Sequence, residues 1–311
     1  GLCSLLENQK RLALVCKIQL DKSGAVTGTE FKEALVQSHG KLSYNQVSEF
    51  IAGDNEAVNA ELSQRIATLT DATNALAQYR KENNLVMDDR PDYYLTIADN
   101  GKIQTILKAD RNAAQKLVEE AMLAANLSCA QFLKEIGTGI FIEHAGFRTE
   151  RIGDIKTIIE QQKIEFEGDF TKADGYKNLV KAVDALETDR PIKTILSRFL
   201  IRSEFTQEAN PHQGMGFDAY TTFTSPIRKY NDLLVHRIIK AHLNGSKMPE
   251  LTEQTIENLQ DLLFKGRNAV ALAENWLKLQ FIEKSEQKEF NGIIQQVNPA
   301  GFMVQVVEIG I

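Results

Sequence analysis

Apolar and polar positions change period several times along the chain, and each change marks an element. Residues 12–20 alternate loosely, Asp21-Lys22-Ser23-Gly24 follows as a turn, and a second extended stretch runs through Phe31, which predicts a β-hairpin. Ser43-Tyr44-Asn45-Gln46 has the S-x-x-Q form of a capping box, opening a short helix to about Ile51 with Tyr44 in its first turn. Leu62, Ile66, Leu69, Leu76 and Tyr79 recur at helical spacing between Glu61 and Tyr79 and predict an amphipathic helix. Two β-prone runs flank Asn100-Gly101 between Tyr93 and Lys108, a strong hairpin signal. From Asp110 to Ile136 the pattern turns helical and Ala-rich, and small side chains let such a helix sit close to its neighbours in a core.

Further helical patterns fill residues 150–205, and the turn-forming stretch 206–224 predicts a loop. Ser225-Pro226 reads as a helix start, since Ser caps and Pro suits the first helical position, with the helix ending at Asn244-Gly245. A long helix from Glu253 to Lys284 is predicted to bury a face of Ile256, Leu259, Leu263, Val270, Trp276 and Phe281. After it the period shortens. Phe290 to Val297 and Phe302 to Val306 read as two strands joined by Asn298-Pro299-Ala300-Gly301. A domain boundary is expected at residues 286–289, giving domains 1–286 and 287–311.

Composition changes this picture little. With 43% hydrophobic and 25% charged residues the chain is globular rather than disordered. Three cysteines, Cys3, Cys16 and Cys129, lie far apart without a C-x-x-C pair, against a zinc ribbon or a disulfide framework and in favour of a reducing, cytoplasmic setting. No run approaches the roughly eighteen apolar residues of a membrane helix. The first residue is not Met and the last residues stop inside an apolar run, so a piece of a longer chain is expected. Net charge is −6, which excludes a uniformly basic surface. Between Pro191 and Lys247, however, eight basic residues face four acidic ones, a local excess of four that leaves the remainder at −10.

The densest chemistry lies in Thr224-Ser225-Pro226-Ile227-Arg228-Lys229-Tyr230-Asn231-Asp232. Arg228 is expected in the first turn of the Ser-Pro-capped helix, where free N–H groups and the positive end of the dipole favour an anion. A planar guanidinium suits a phosphate there. On its own the motif is more readily an ordinary capped helix with a solvated Arg-Lys pair. The His residues lack the spacing of a zinc site, so structural or hydrogen-bonding roles are their default, and Asp88, Asp89 and Asp92, whose charge Arg90 would offset, are not read as a magnesium site.

The surroundings decide between those readings. His212-Gln213-Gly214, Tyr220 and the ungapped run from Thr224 to Arg237 resemble the signature of the RNB family of exoribonucleases. The resemblance continues in order through Leu2-Cys3-Ser4-Leu5, Lys41 to Val47, Asp89 to Tyr93, Val118 to Met122 and His144-Ala145-Gly146-Phe147. It covers essentially residues 1–286. The wording from His212 to Tyr220 is closer to the ribonuclease II branch than to the ribonuclease R branch.

The resemblance implies an α+β fold, an RNB core of mixed strands packed by several helices. It also implies processive 3′ to 5′ hydrolysis of single-stranded RNA to nucleoside 5′-monophosphates, with Mg2+ as cofactor. Arg228 matches the family's catalytic arginine, whose role is to stabilise charge on the phosphate in the transition state. Glu119 matches a carboxylate on a ribose hydroxyl, the group that separates RNA from DNA. Tyr44 matches an aromatic near the floor of the RNA channel, and Lys229 is a further RNA contact. Without the family, Glu119 is as readily a solvated helix flank and Tyr44 a half-buried core aromatic. Met87 stands where the family has a Phe that clamps the terminal bases, so the ring for stacking is lost. The family's metal-binding aspartates precede the Leu-Cys-Ser-Leu element, so the magnesium ligands are expected upstream of residue 1, and the 311 residues alone are expected to be inactive. The last segment is similar to the opening hairpin of the OB-type β-barrel that follows the RNB domain. A cytoplasmic monomer with single-stranded RNA as partner and no membrane association is expected. Two alternatives stay open, a ribonuclease R-type paralogue and a non-catalytic RNA-binding module.

Overall fold

The structure, a computed structural model, describes residues 2–86, 92–188, 190, 192–287 and 289–311. In chain order the elements are β1 (Lys10–Leu20), β2 (Val26–Gln37), α1 (Tyr44–Ile51), α2 (Ala60–Asn83), β3 (Asp92–Ile97), β4 (Ile103–Ala109), α3 (Ala113–Glu135), β5 (Phe141–Glu143), α4 (Ile152–Gln162), α5 (Ala173–Asp184) and α6 (Ile192–Ser197). They continue with β6 (Glu204–Thr206), α7 (Tyr230–Leu243), α8 (Glu253–Lys284), β7 (Gly292–Asn298) and β8 (Gly301–Val306). The strands form four two-stranded antiparallel sheets, β1–β2, β3–β4, β5–β6 and β7–β8. The fold is therefore mixed α+β. The chain divides into two compact units, one of Gly1–Met87 with Ala113–Glu257, the other of Asp88–Asn112 with Asn258–Ile311.

In the first unit, α3 is the central helix that its small residues predict, with Ala114, Leu117, Ala124, Asn126, Ser128, Cys129, Ala130 and Leu133 all buried. Cys129, Ala130 and Leu133 pack with Phe31 of β2, Ile140, Phe141, Phe223 and the inner face of α7, which is Leu234, Val235, Ile238 and Ile239. Each of the Leu, Ile, Val and Phe side chains among them contributes roughly 1.5–3 kcal/mol through removal from water. A second cluster of Phe147, Ile155, Phe170, Tyr176, Leu179, Val183 and Leu196 holds α4, α5 and α6 together. The capping box is present as expected: the Ser43 hydroxyl accepts the Gln46 N–H at 3.2 Å and the Gln46 side chain accepts the Ser43 N–H at 2.9 Å.

The first hairpin turns through Asp21, whose carboxylate accepts N–H bonds from Ser23 at 2.8 Å and Ala25 at 3.0 Å. Gly24 there has φ +88°, and a Cβ at that position would lie 2.2 Å from the Ala75 carbonyl oxygen of α2. The turn is thus seated backbone to backbone on the helix.

In the second unit, Lys278 of α8 is buried, and its ammonium is satisfied by Glu274 at 2.7 Å, the Gly310 carbonyl at 3.1 Å and the Tyr93 ring at 5.4 Å. The Tyr93 hydroxyl in turn donates to the Val307 carbonyl at 2.8 Å. The long α8 departs from the buried face that its apolar spacing predicts. Ile256 and Leu259 are buried, but Val270 and Trp276 are 65% and 58% exposed. Every residue from 264 to 273 is exposed, so a regular apolar stripe is present without a packing layer over it. Trp276 instead carries the Lys102 ammonium 5.0 Å above its ring.

Gly24→Ala is expected to destabilise the first unit by more than about 1 kcal/mol, because it adds left-handed strain to a backbone clash. Urea denaturation of the purified protein measures it.

Candidate functional site

The segment from Tyr220 to Lys229 has little regular structure of its own and is held from several sides by buried polar groups. The Tyr220 carbonyl accepts the Ile142 N–H at 2.8 Å, and the Thr221 hydroxyl donates to the Ile140 carbonyl at 2.5 Å. Asn126, a buried polar residue on α3, donates to the Tyr220 hydroxyl at 3.1 Å and accepts the Phe223 N–H at 3.1 Å. From α7, His236 Nε2 donates to the Phe223 carbonyl at 2.7 Å. Burial holds the His236 pKa below its ordinary value, so the ring acts as a neutral donor.

Asp232 ties these strands together. Its carboxylate is fully buried and accepts from the Thr222 hydroxyl at 2.7 Å, the Ser225 N–H at 2.8 Å and the Asn231 amide at 2.7 Å, while the same Asn231 amide reaches Thr222 at 2.8 Å. Lying in the first turn of α7, the carboxylate also faces the positive end of the helix dipole.

This geometry alters the expectation for Arg228. Ser225-Pro226 does not open the helix. Residues 225–229 form a separate turn in which the Ser225 carbonyl accepts the Arg228 and Lys229 N–H groups at 3.2 and 3.0 Å, Lys229 is extended at φ −123°, and α7 begins at Tyr230. The reason is the backward reach of Asp232 to the Ser225 N–H, which closes the turn ahead of the helix. Arg228 is therefore carried on an exposed, anchored turn, its guanidinium touching the Ser225 hydroxyl at 3.5 Å. Lys229 is half-buried. Neither forms an ion pair with a described residue.

Glu119 is partly buried on α3, seven residues before Asn126, which places it two turns or about 10 Å away on the same face. Its charge, with that of Asp232, helps raise the Tyr220 pKa, although burial is the main cause and the Asn126 contact acts the other way. Glu119 thus shares a face with the group that grips Tyr220 and Phe223. Its neighbour Glu120 makes a bidentate ion pair with Arg80 of α2, the Arg80 Nε bond being 3.1 Å and the second bond through Nη2 closer. Tyr44 begins α1, which packs on α3, and is 51% exposed rather than a core aromatic. Glu119, Tyr44, Arg228 and Lys229 all belong to the first unit. Met87 lies outside the described residues.

Behind the loop, the His144 and His212 rings stack at 5.3 Å, and His212 meets the Tyr220 ring edge-on at 5.6 Å. Burial first, and the neighbouring His144 second, lower the His212 pKa to about 4, and burial lowers that of His144 as well. The histidine pair has the structural, hydrogen-bonding character expected of it, whereas Asn126 and Asp232 carry no expectation from the sequence. The available signals were an Asn one heptad after Glu119 in an otherwise small and apolar stretch, and two His residues each followed two positions later by Gly. No group of three or more His, Cys, Asp or Glu among the described residues could hold a metal ion. No described helix is long and apolar enough to cross a membrane.

Among the described residues, the Arg228 guanidinium has no ion-pair partner and stands on an anchored turn next in sequence to a second cation, on an α+β frame. The RNB domain model matches residues 1–245, and the chain belongs to the RNB domain family. It is 35% identical to Exoribonuclease 2 of Haemophilus influenzae over 327 aligned residues, covering 99% of this chain and 50% of the relative. Against Exoribonuclease 2 of Photorhabdus laumondii the identity is 31%, over 100% of this chain and 49% of the relative. The chain thus spans about half the length of the curated relatives it matches. Among solved structures, Mycoplasma genitalium RNase R in complex with ribose methylated single-stranded RNA aligns over 100% of this chain and 50% of its own, with TM-score 0.84 and 20% identity. Yeast Ssd1, a pseudonuclease, aligns over 83% of this chain and 33% of its own, with TM-score 0.61 and 18% identity. These two likenesses concern the fold.

Asp232→Ala is expected to cost about 3 kcal/mol or more, since it strands three buried donors at once, and thermal unfolding measures it. A second expectation concerns acid. His212 binds a proton less readily folded than unfolded, so the stability it confers is complete above its ordinary value of 6.5 and is lost as pH falls towards about 4. The loss is about 3 kcal/mol at pH 4. Urea midpoints measured across this range should fall on acidification, and His212→Phe should remove much of the slope.

Proposed function

We propose that this chain forms part of an exoribonuclease that removes nucleoside 5′-monophosphates processively from the 3′ end of single-stranded RNA. The observation that carries the reading is the presentation of Arg228, a cation without a described ion-pair partner on a turn fixed by a buried carboxylate. In this reading water attacks the last phosphodiester phosphorus, the bond from phosphorus to the penultimate O3′ breaks, and that oxygen leaves with a proton. The phosphate stays on the released 5′ position. Arg228 stabilises the charge that builds on the non-bridging oxygens, where a preorganised donor acts most strongly.

Lys229 adds a second positive charge beside the scissile phosphate. Glu119 accepts from a ribose hydroxyl near the 3′ end, which selects RNA over DNA. Tyr44, exposed at the start of α1, offers a ring face to a base, and Met87 offers apolar contact without a ring. Mg2+ supplies charge neutralisation and activates water in this class of chemistry. Among the described residues no group of three or more His, Cys, Asp or Glu could hold it. Residues 1–286 are assigned to the RNB domain and 287–311, with the β7–β8 hairpin, to the start of an OB-type barrel. A monomeric, cytoplasmic enzyme fits this assignment.

A non-catalytic RNA-binding protein is the second reading, since yeast Ssd1, a pseudonuclease, shares the fold. Arg228→Ala in the full-length protein separates the two. Single-turnover release of mononucleotides from a 3′-hydroxyl RNA should slow by roughly 10²-fold or more, while RNA is still bound. Wild-type rates would remove Arg228 from the chemistry, and absence of any release by the wild-type protein with magnesium would favour the binding module.

A further inference from the structure

Beside Arg228 the surface carries apolar groups that neither the core nor the proposed chemistry uses. Ile227 is 77% exposed and Tyr230 55% exposed, and the Tyr230 hydroxyl makes no hydrogen bond with a described residue. Tyr230 opens α7 one turn before the buried Leu234, so its exposed ring stands on the outward side at the margin of the inner face formed by Asn231, Asp232, Leu234, Val235, Ile238 and Ile239. Arg237 lies seven residues further on, two turns and about 10 Å along the same outward face. It is exposed and, like Arg228 and Lys229, forms no ion pair with a described residue.

An exposed aromatic ring is thus bracketed by unpaired cations, Arg228 and Lys229 on one side and Arg237 on the other, on a chain whose net charge is −6. That alternation complements a single strand, in which phosphates and bases alternate: the cations meet phosphates and the ring meets a base face. A protein partner with an apolar patch would leave three cations facing nothing of opposite charge.

We propose that Tyr230 is a base-stacking residue for single-stranded RNA and that Arg237 binds a phosphate of the same strand, so that RNA contacts extend from the Arg228 turn along the outward face of α7. The proposal rests on the RNA-degrading reading above. Because α7 is fixed from beneath by Asp232, the ring is held in place before the strand arrives and needs little ordering on binding.

Binding of a fluorescent single-stranded RNA with a 3′-hydroxyl to the full-length protein, in EDTA to prevent cleavage, tests this directly. Tyr230→Ala is expected to weaken binding about tenfold, Tyr230→Leu nearly as much, and Tyr230→Phe by less than about twofold. The Leu and Phe variants have similar apolar bulk, so their difference reads the ring rather than folding. Arg237→Ala should weaken binding and flatten the plot of log affinity against log salt by about 0.7. Equal affinity of the Leu and Phe variants, or unchanged affinity of the Ala variant, overturns the stacking role; an unchanged salt slope overturns the phosphate contact. If either occurs while Arg228→Ala still abolishes hydrolysis, the nuclease reading stands without this surface. If hydrolysis is absent in the wild-type protein but the binding changes appear, the surface stands and the nuclease reading falls.

Discussion

A carboxylate buried without a paired cation is unfavourable unless donors surround it, and the site depends on how Asp232 meets that requirement. Three donors converge on it, the Thr222 hydroxyl, the Ser225 N–H and the Asn231 amide, and it lies at the positive end of α7. Each of these donors belongs to a different part of the loop or helix start, so satisfying one charge fixes the course of the chain from residue 222 to residue 232. The turn bearing Arg228 is then an outcome of electrostatics beneath the surface rather than of contacts made by Arg228 itself. This leaves the guanidinium available to a ligand while its backbone is anchored.

The same division of labour runs through the histidines. His144, His212 and His236 are all shifted towards the neutral form by burial. They act as flat hydrogen-bonding groups at neutral pH, and stacking between His144 and His212 adds no charge repulsion. At neutral pH these rings therefore add no positive charge around the loop, whose own cations are Arg228 and Lys229.

Much of the frame was legible in the sequence because its signals are local. The Ser43 to Gln46 capping box, the Asn100-Gly101 hairpin and the small residues of α3 each fix their element within a few positions. The start of α7 was not legible for the opposite reason. Ser225-Pro226 is a sound local helix start, but Asp232 reaches back to the Ser225 N–H and separates turn from helix. Asn126 escaped notice because its two partners, Tyr220 and Phe223, lie more than ninety residues away in sequence. Trp276 was misplaced because periodicity reports which side chains share a face and is silent on whether anything covers it. Local chemistry marks the elements; the site is made by side chains that reach between them.

Charge distribution shows why an acidic chain is compatible with a polyanionic ligand. Several cations of the chain are occupied: Arg80 by Glu120, Lys193 by Asp184, Lys240 by Glu33, Lys265 by Asp261 and Lys278 by Glu274. Pairing removes these from the field that an approaching phosphate senses at longer range. On the proposed surface a strand would meet Arg228, Lys229 and Arg237, which lie within one turn and the first two turns of one helix. A net excess of negative charge elsewhere disfavours non-specific adsorption of a polyanion over the rest of the surface. Under the proposed reading the sign of the total charge and the sign of the site work together, the first limiting where RNA would settle and the second supplying the place.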